Sequence, residues 1–314
     1  MMKAIILTSQ GSVDNLRLAE IPVPDIGADE VLIRVKALSI NPADTYVRMD
    51  VAIDWIFNGE TPKILGWDVA GVVTATGQKV VDFKVGDEVF GSIRHPGHGK
   101  AYAEYVAAPA SHLALKPSNI SFEEAAAATL AALTAWQPLT RANIRKGDRI
   151  LITAAGGGVG HYAVQIAKYL GAYVIALSSY GKRDFVLGLG ADEYVAYDRQ
   201  RFEDVVSDVD LALEALRDDH IARTLAVVKR GGTLISLWAM VQGTKWERLA
   251  NDLGVNAYYN AVVSNGQDMK ALADLLERGV LKSHISKIYP LEEIPAAHLE
   301  LEKNATTGKI VISL

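Results

Sequence analysis

Two short stretches of this sequence carry residue types that could do chemistry. The first is the apolar run Ile150-Leu-Ile, followed by Thr153-Ala-Ala-Gly-Gly-Gly-Val-Gly160 and an amphipathic segment with Val164, Ala167 and Leu170 on one face. Strand, glycine turn and helix is the context in which glycines cradle a pyrophosphate. Lacking Cβ atoms, they let the phosphates approach the backbone, and the helix N-terminus offers unpaired N–H donors and a favourable dipole. Ala154, Gly156, Gly157, Gly158, Val159 and Gly160 are therefore candidate cofactor-binding residues; the alternative is a purely structural turn. The second stretch follows the next strand, Tyr173-Val-Ile-Ala-Leu-Ser178, and reads Ser179-Tyr-Gly-Lys182-Arg183. Many NAD sites place a carboxylate about 20 residues past the glycine turn, on the ribose diol. Here no acid appears until Asp184. Ser179, Lys182 and Arg183 suit a 2′-phosphate instead, at about 1.5–3 kcal/mol for each charge-assisted hydrogen bond. NADPH is the cofactor these residues predict. The alternative is a capping serine before a solvated helix start.

These groups must be held by a sizeable scaffold. The chain has 314 residues, half of them hydrophobic and 22% charged, which predicts a packed globular protein of about two domains. Its net charge of −5 argues against nucleic acid as the main partner. No stretch approaches the roughly 20 apolar residues of a membrane span, and the opening Met1-Met-Lys-Ala-Ile-Ile-Leu7 reads as a strand rather than a leader. A cytoplasmic location and no membrane partner are expected. The chain has no cysteine, which excludes disulfides, thiol nucleophiles and cysteine-bound zinc. His95 and His98 have ligand-like spacing but no third ligand nearby, so no metal site is expected.

The first part, to about residue 118, is strand-rich. Val31, Ile33 and Val35 alternate with polar residues, and further strands are expected at Val69–Thr74, Glu88–Phe90, Tyr102–Ala107 and His112–Leu115. Ser121 and Glu124 form a capping-box pattern ahead of a helix expected over Phe122–Leu139. Strands and helices then alternate: strands at 149–153, 173–177, 193–197, 209–214 and 233–238, helices at 159–170, 182–189, 201–206 and 218–229. Val255–Val263 closes the series. This alternation predicts an α/β, doubly wound parallel sheet. The tail reads as helix Met269–Arg278, strand Ser286–Tyr289, helix Ile294–Lys303 and strand Lys309–Ser313. A lone terminal strand needs a partner, and its expected place is the first domain. The expected boundaries are 1–118 and 265–314 for one domain and 119–264 for the nucleotide domain.

With these elements in order, the chain resembles the medium-chain dehydrogenase/reductase superfamily, in its zinc-free quinone oxidoreductase (zeta-crystallin-like) branch. The resemblance is carried by Asn41-Pro-Ala-Asp-Thr-Tyr46, Gly66-Trp-Asp-Val-Ala-Gly-Val-Val73, Val85-Gly-Asp-Glu-Val-Phe90, Ala101-Tyr-Ala-Glu-Tyr105 and Leu133-Thr-Ala-Trp136. The glycine turn, Gly190-Ala-Asp-Glu193, Gly231-Gly232 and Gly308-Lys-Ile-Val311 complete it. The resemblance implies a Rossmann domain inserted in a GroES-like β-barrel-type catalytic domain, with NADPH between them. It places Ser179, Lys182 and Tyr197 around the 2′-phosphate, although Tyr197 also fits a strand-end packing role. It implies a homodimer through the nucleotide domain along Val255–Val263. In zinc-dependent relatives, the positions matching Asn41, Trp67 and Asp68 hold the catalytic metal, and a lone Asp is no zinc site.

Without zinc, the resemblance implies hydride transfer to acceptors that are already electron-poor: quinones or activated α,β-unsaturated carbonyls. It places Asn41 and Tyr46 at the nicotinamide and the acceptor as the catalytic candidates, Asn41 with an amide donor and Tyr46 with a phenol donor. A turn residue before Pro42 and a packing aromatic are the respective alternatives. Three segments depart from the family pattern. Asp50–Gly59 carries Trp55, Ile56 and Phe57, which suit an apolar acceptor pocket. Asn304 stands where a basic residue often precedes Ala305–Lys309. Glu214–Asp219 replaces a glycine-rich turn. An NADPH-binding redox sensor or structural, crystallin-like protein with little turnover is the competing function.

Overall fold

The alternating segment around Val31, Ile33 and Val35 forms the long strand Glu30–Ile40, with those three side chains buried. Its first half pairs antiparallel with Tyr105–Pro109 and its second half with Lys309–Ser313, in the register Ile310 to Ile40. Its other edge pairs with Asp68–Thr76, which continues to Glu88–Ser92 and Ala114–Leu115. Ile285–Pro290 flanks Lys309–Ser313 in parallel. The terminal strand therefore sits inside the first domain's sheet. A smaller antiparallel sheet of Leu16–Ile21, Met2–Leu7 and Lys63–Ile64 accompanies it.

The computed structural model describes all 314 residues, Met1–Leu314. Backbone contacts divide them into one unit of Met1–Leu133 with Val262–Leu314 and a second of Thr134–Ala261. These breaks differ from the 118/119 and 264/265 boundaries read from sequence texture. The reason is helix Phe122–Ala127, whose alanines are fully buried and pack on Glu30–Ile40, Asp68–Thr76 and Lys309–Ser313. That helix belongs to the first unit. No helix is long and apolar enough to cross a membrane.

The second unit is a six-stranded parallel sheet in the order Glu193–Ala196, Tyr173–Ser178, Arg149–Ile152, Val209–Glu214, Val228–Ser236, Asn256–Tyr259. This is the doubly wound Rossmann order, which reverses between Arg149–Ile152 and Val209–Glu214. The central strands are apolar and buried over residues 150–152, 174–177 and 211–213, as parallel strands under helices must be.

Several expected elements differ in extent. The helix expected over Phe122–Leu139 is two helices, Phe122–Ala127 and Leu130–Arg141. The break falls where the Thr129 hydroxyl turns back to the Ala126 carbonyl and the Leu130 amide donates to the buried Asp68 carboxylate at 3.0 Å. The helix expected at 201–206 is a single turn, Phe202–Asp204. The last strand is Asn256–Tyr259 rather than Val255–Val263.

Candidate active site

In the second unit the glycine turn joins strand Arg149–Ile152 to helix Gly160–Tyr169. Ala154 adopts a left-handed conformation, φ +51°, which is costly for a residue with a Cβ. It is held there because its carbonyl accepts the Gly157 amide at 2.8 Å while the Ala155 amide reaches Leu177 at 3.0 Å. A Cβ on Gly160 would lie 2.2 Å from the Ala154 carbonyl oxygen and 2.6 Å from the Ala155 Cα, so no other residue fits. The amides of Gly156, Gly158, Val159 and Gly160 donate to no other backbone group. These donors at a helix start are chemically suited to a pyrophosphate.

Lys182 is half-buried, with its stem laid over the turn. A Cβ on Gly156 would meet Lys182 Cδ at 2.7 Å and Ser178 Oγ at 3.1 Å. Burial lowers the Lys182 ammonium from its usual range. Ser179 precedes the turn Tyr180–Lys182, and its carbonyl accepts the Lys182 amide at 2.9 Å and the Tyr194 hydroxyl. Tyr197 is exposed, and its amide donates to the Ser178 carbonyl at 3.1 Å, which sets it beside the same strand end. Arg183 faces outward and contacts Asp184 at 3.3 Å. Ser179, Lys182 and Tyr197 thus gather at one edge of the turn, with Arg183 at its margin.

Two acids here have contacts with no local sequence signal. Asp198 accepts the Tyr180 amide at 2.8 Å, so a carboxylate does stand beside this cluster, but it arrives from the following strand. Glu214 is fully buried at the end of Val209–Glu214. It accepts from Thr153 Oγ1 at 2.9 Å, the Leu216 amide at 2.7 Å, His220 Nδ1 at 2.9 Å and Thr224 Oγ1 at 2.5 Å. Burial alone would raise its carboxyl, but His220, Thr224 and the Leu216 amide outweigh that and hold it below its ordinary value. The departure at Glu214–Asp219 is therefore an ordered polar corner, braced against the residue that precedes the glycine turn.

In the first unit, Asn41 caps helix Pro42–Met49 with Asp44 as its capping-box partner, the Asn41 amide donating to Asp44 Oδ2 at 2.7 Å. Asn41 is 5% exposed. Its Nδ2 donates to Asp68 Oδ2 at 2.8 Å, and its Oδ1 accepts from Lys309 Nζ at 2.5 Å. Tyr46 lies on the same helix and is 39% exposed. Asp68 is further held by Ser39 Oγ at 2.5 Å and by the Leu130 amide. Burial lowers the Lys309 ammonium from its usual range, and Asp68 and Asp44 oppose that shift. Lys309 had no sequence signal beyond its Gly-Lys pair, because nothing local ties it to Asn41.

Beneath this cap, Asp44 is buried with Oδ1 unpartnered. Burial, then the charge of Asp68, push its carboxyl up to about 7. Close by, His298 Nε2 meets the Tyr102 hydroxyl at 3.0 Å, and burial, then the charge of Arg48, push the imidazole down to about 3. Trp67 is buried, donates Nε1 to the Gly97 carbonyl at 2.7 Å and meets the His95 ring edge-on at 4.9 Å. His95 Nδ1 contacts the Val262 carbonyl at 3.1 Å and His98 Nε2 the Ile64 carbonyl at 2.9 Å. No three His, Asp or Glu side chains converge in a way that could hold a metal ion. Of the apolar residues at 55–57, Ile56 and Phe57 are buried, whereas Trp55 is exposed on a groove of about 660 Å³ shared with Pro22, Pro62 and Tyr105.

Such a two-part scaffold is that of a dinucleotide-dependent oxidoreductase, and comparison with known proteins narrows it. Residues 27–118 match the family model for the alcohol dehydrogenase GroES-like domain, and residues 189–312 match that for zinc-binding dehydrogenase. The chain is 36% identical to the 2-methylene-furan-3-one reductase of Solanum lycopersicum, over 99% of this chain and 79% of that protein. It is 34% identical, with the same coverage, to the chloroplastic NADPH-dependent alkenal/one oxidoreductase of Arabidopsis thaliana. The quinone oxidoreductase structure from Coxiella burnetii superposes with a TM-score of 0.93 at 31% identity, covering 100% of this chain and 99% of that one. The chain belongs to the medium-chain dehydrogenase/reductase superfamily, in its quinone oxidoreductase branch.

Proposed function

We propose that this chain is an NADPH-dependent reductase of quinones or activated α,β-unsaturated carbonyls. The observation that carries the cofactor choice is Lys182, whose stem covers Gly156 at the end of a strand that bears no carboxylate of its own. When bound, NADPH supplies a hydride. The free amides of the glycine turn hold the pyrophosphate, and Ser179, Lys182, Arg183 and Tyr197 hold the 2′-phosphate. Asn41 and Tyr46 attend the acceptor. Their N–H and O–H donors stabilise negative charge that develops on the acceptor oxygen, and the Tyr46 phenol is the proton donor to that oxygen. Electron-poor acceptors need little more than orientation and such donors. The names of the relatives support the substrate class. The outer strand Asn256–Tyr259, half-exposed at the sheet edge, supports a homodimer, for which light scattering should give about twice 33.9 kDa.

The test is a steady-state assay with a benzoquinone and a 2-alkenal, following NADPH or NADH. Lys182→Ala is expected to raise KM for NADPH by about tenfold or more and that for NADH by less than about twofold. Equal effects on both cofactors would sink the 2′-phosphate assignment. Tight NADPH binding with no oxidation by either acceptor would replace the reductase reading with that of a sensor.

A further inference from the structure

We infer that Lys309 is a positioning residue that works with Asp68 to dictate which end of the Asn41 carboxamide meets a ligand. The inference rests on the reading that Asn41 attends the acceptor. A carboxamide is nearly symmetric in shape, and rotation about its last bond exchanges oxygen for NH₂. Its two neighbours here are not symmetric. A carboxylate only accepts, so Asp68 Oδ2, 2.8 Å away, requires the nitrogen. An ammonium only donates, so Lys309 Nζ, 2.5 Å away, requires the oxygen. The flipped amide would set oxygen against carboxylate and NH₂ against ammonium.

Neither neighbour can turn to accommodate a flip. Asp68 is pinned by Ser39 Oγ and the Leu130 amide, and Lys309 Nζ by the Ile40 carbonyl at 2.9 Å. Lys309 also enters the sheet under constraint. Gly308 has φ +66°, and a Cβ there would lie 2.2 Å from the His284 carbonyl oxygen, so only glycine lets the chain turn in at this point. Residues 39–41, 68, 130 and 309 thus form one clamp.

The clamp makes Asn41 a donor. Its oxygen is committed to Lys309. Of its two N–H groups, one serves Asp68, and the other has only Asp44 Oδ2 at 3.5 Å, the long limit of a hydrogen bond. An incoming carbonyl oxygen is a better partner for that N–H. A hydroxyl offering its proton finds no acceptor on the Asn41 side chain, whose oxygen Lys309 already holds. The clamp therefore favours carbonyl acceptors, as quinones and enones are, over alcohols.

The test compares Asn41→Ala, the paired change Asp68→Asn/Lys309→Met, and all three changes together. The pair removes both buried charges at once, so no unpaired ion is left to unfold the chain, and a cooperative thermal transition checks this. With NADPH and a benzoquinone, the pair is expected to lower kcat by about tenfold with KM for NADPH within about twofold. In the Asn41→Ala background it should lower kcat no further, because the clamp acts through that side chain. The Asn41 side-chain amide, labelled with ¹⁵N, should show nitrogen and hydrogen shifts in the parent that move toward those of a solvated carboxamide in the paired variant. An equal kcat loss without Asn41, or an amide signal unmoved by the pair, overturns the clamp. An Asn41→Ala enzyme of undiminished kcat overturns the acceptor role of Asn41 instead, and the amide signal still judges the clamp.

Discussion

Replacing Asp44 with asparagine is expected to change how stability depends on pH, in a direction set by its burial beside Asp68. In the folded chain Asp44 titrates at about 7, against 3.8 for the unconstrained group. Between those values the folded chain keeps a proton that the unfolded chain has released. This stabilisation is fully present below pH 3.8 and is lost as pH rises through 7. Over that window it amounts to about 4 kcal/mol, at roughly 1.4 kcal/mol per pH unit. His298 has the opposite sign. Its imidazole titrates at about 3 when folded and 6.5 when not, so its contribution is present above 6.5 and lost as pH falls through 3. In the overlap the two slopes cancel, and the parent should be nearly indifferent to pH on their account. Asp44→Asn keeps an oxygen for the Asn41 amide and removes one slope. Urea unfolding of both proteins at intervals from about pH 4 to about pH 8 gives their difference, from which all shared groups drop out. Relative to the parent, the variant should gain about 1.4 kcal/mol per unit as pH rises, levelling off near neutrality. Asparagine's extra N–H can offset the curves by a constant without altering that slope. A difference flat in pH would refute the reasoning, because Asp44 would then ionise as freely as in the unfolded chain.

Gly160→Ala should abolish measurable NADPH binding in a fluorescence titration and cost about 1–3 kcal/mol in thermal or urea unfolding, since its Cβ meets the Ala154 carbonyl at 2.2 Å. Glu214→Gln should cost about 1–3 kcal/mol in urea unfolding at neutral pH, because its new NH₂ faces groups that all donate to the present carboxylate. Asp198→Asn keeps an acceptor for the Tyr180 amide and removes a negative charge beside Ser179 and Lys182. It should tighten NADPH binding by up to about fivefold, less for NADH, with the gain fading at high salt.

The chain showed those features whose causes are local. The glycine turn, the strand and helix alternation, and the return of Lys309–Ser313 to the first domain all follow from periodicity and from a strand that needs an edge. Local periodicity also misled, because nothing within Ala125–Trp136 marks the break at Ala128. That break is made by Asp68, distant in sequence, drawing the Leu130 amide out of the ladder. Asn41 and Tyr46 could be named from the motif around them, but the partners of Asn41 could not, since Asp68 and Lys309 reach it only through tertiary structure. Asp198 was missed for a related reason. Its carboxylate reaches the Tyr180 amide from the end of the neighbouring strand Glu193–Ala196, a contact that only strand pairing creates.

The interleaving of the chain has a consequence for the order in which its parts can mature during synthesis. Every strand of the cofactor sheet lies within Thr134–Ala261, so that unit can close as soon as this contiguous stretch has left the ribosome. The unit bearing Asn41 begins first and finishes last. Until Lys309 has been made, its central strand Glu30–Ile40 lacks a neighbour over Ala37–Ile40, and Asp68 has no cation to offset its burial. The second unit can thus be complete while the first still awaits Lys309–Ser313 and the cation that Lys309 brings to Asp68.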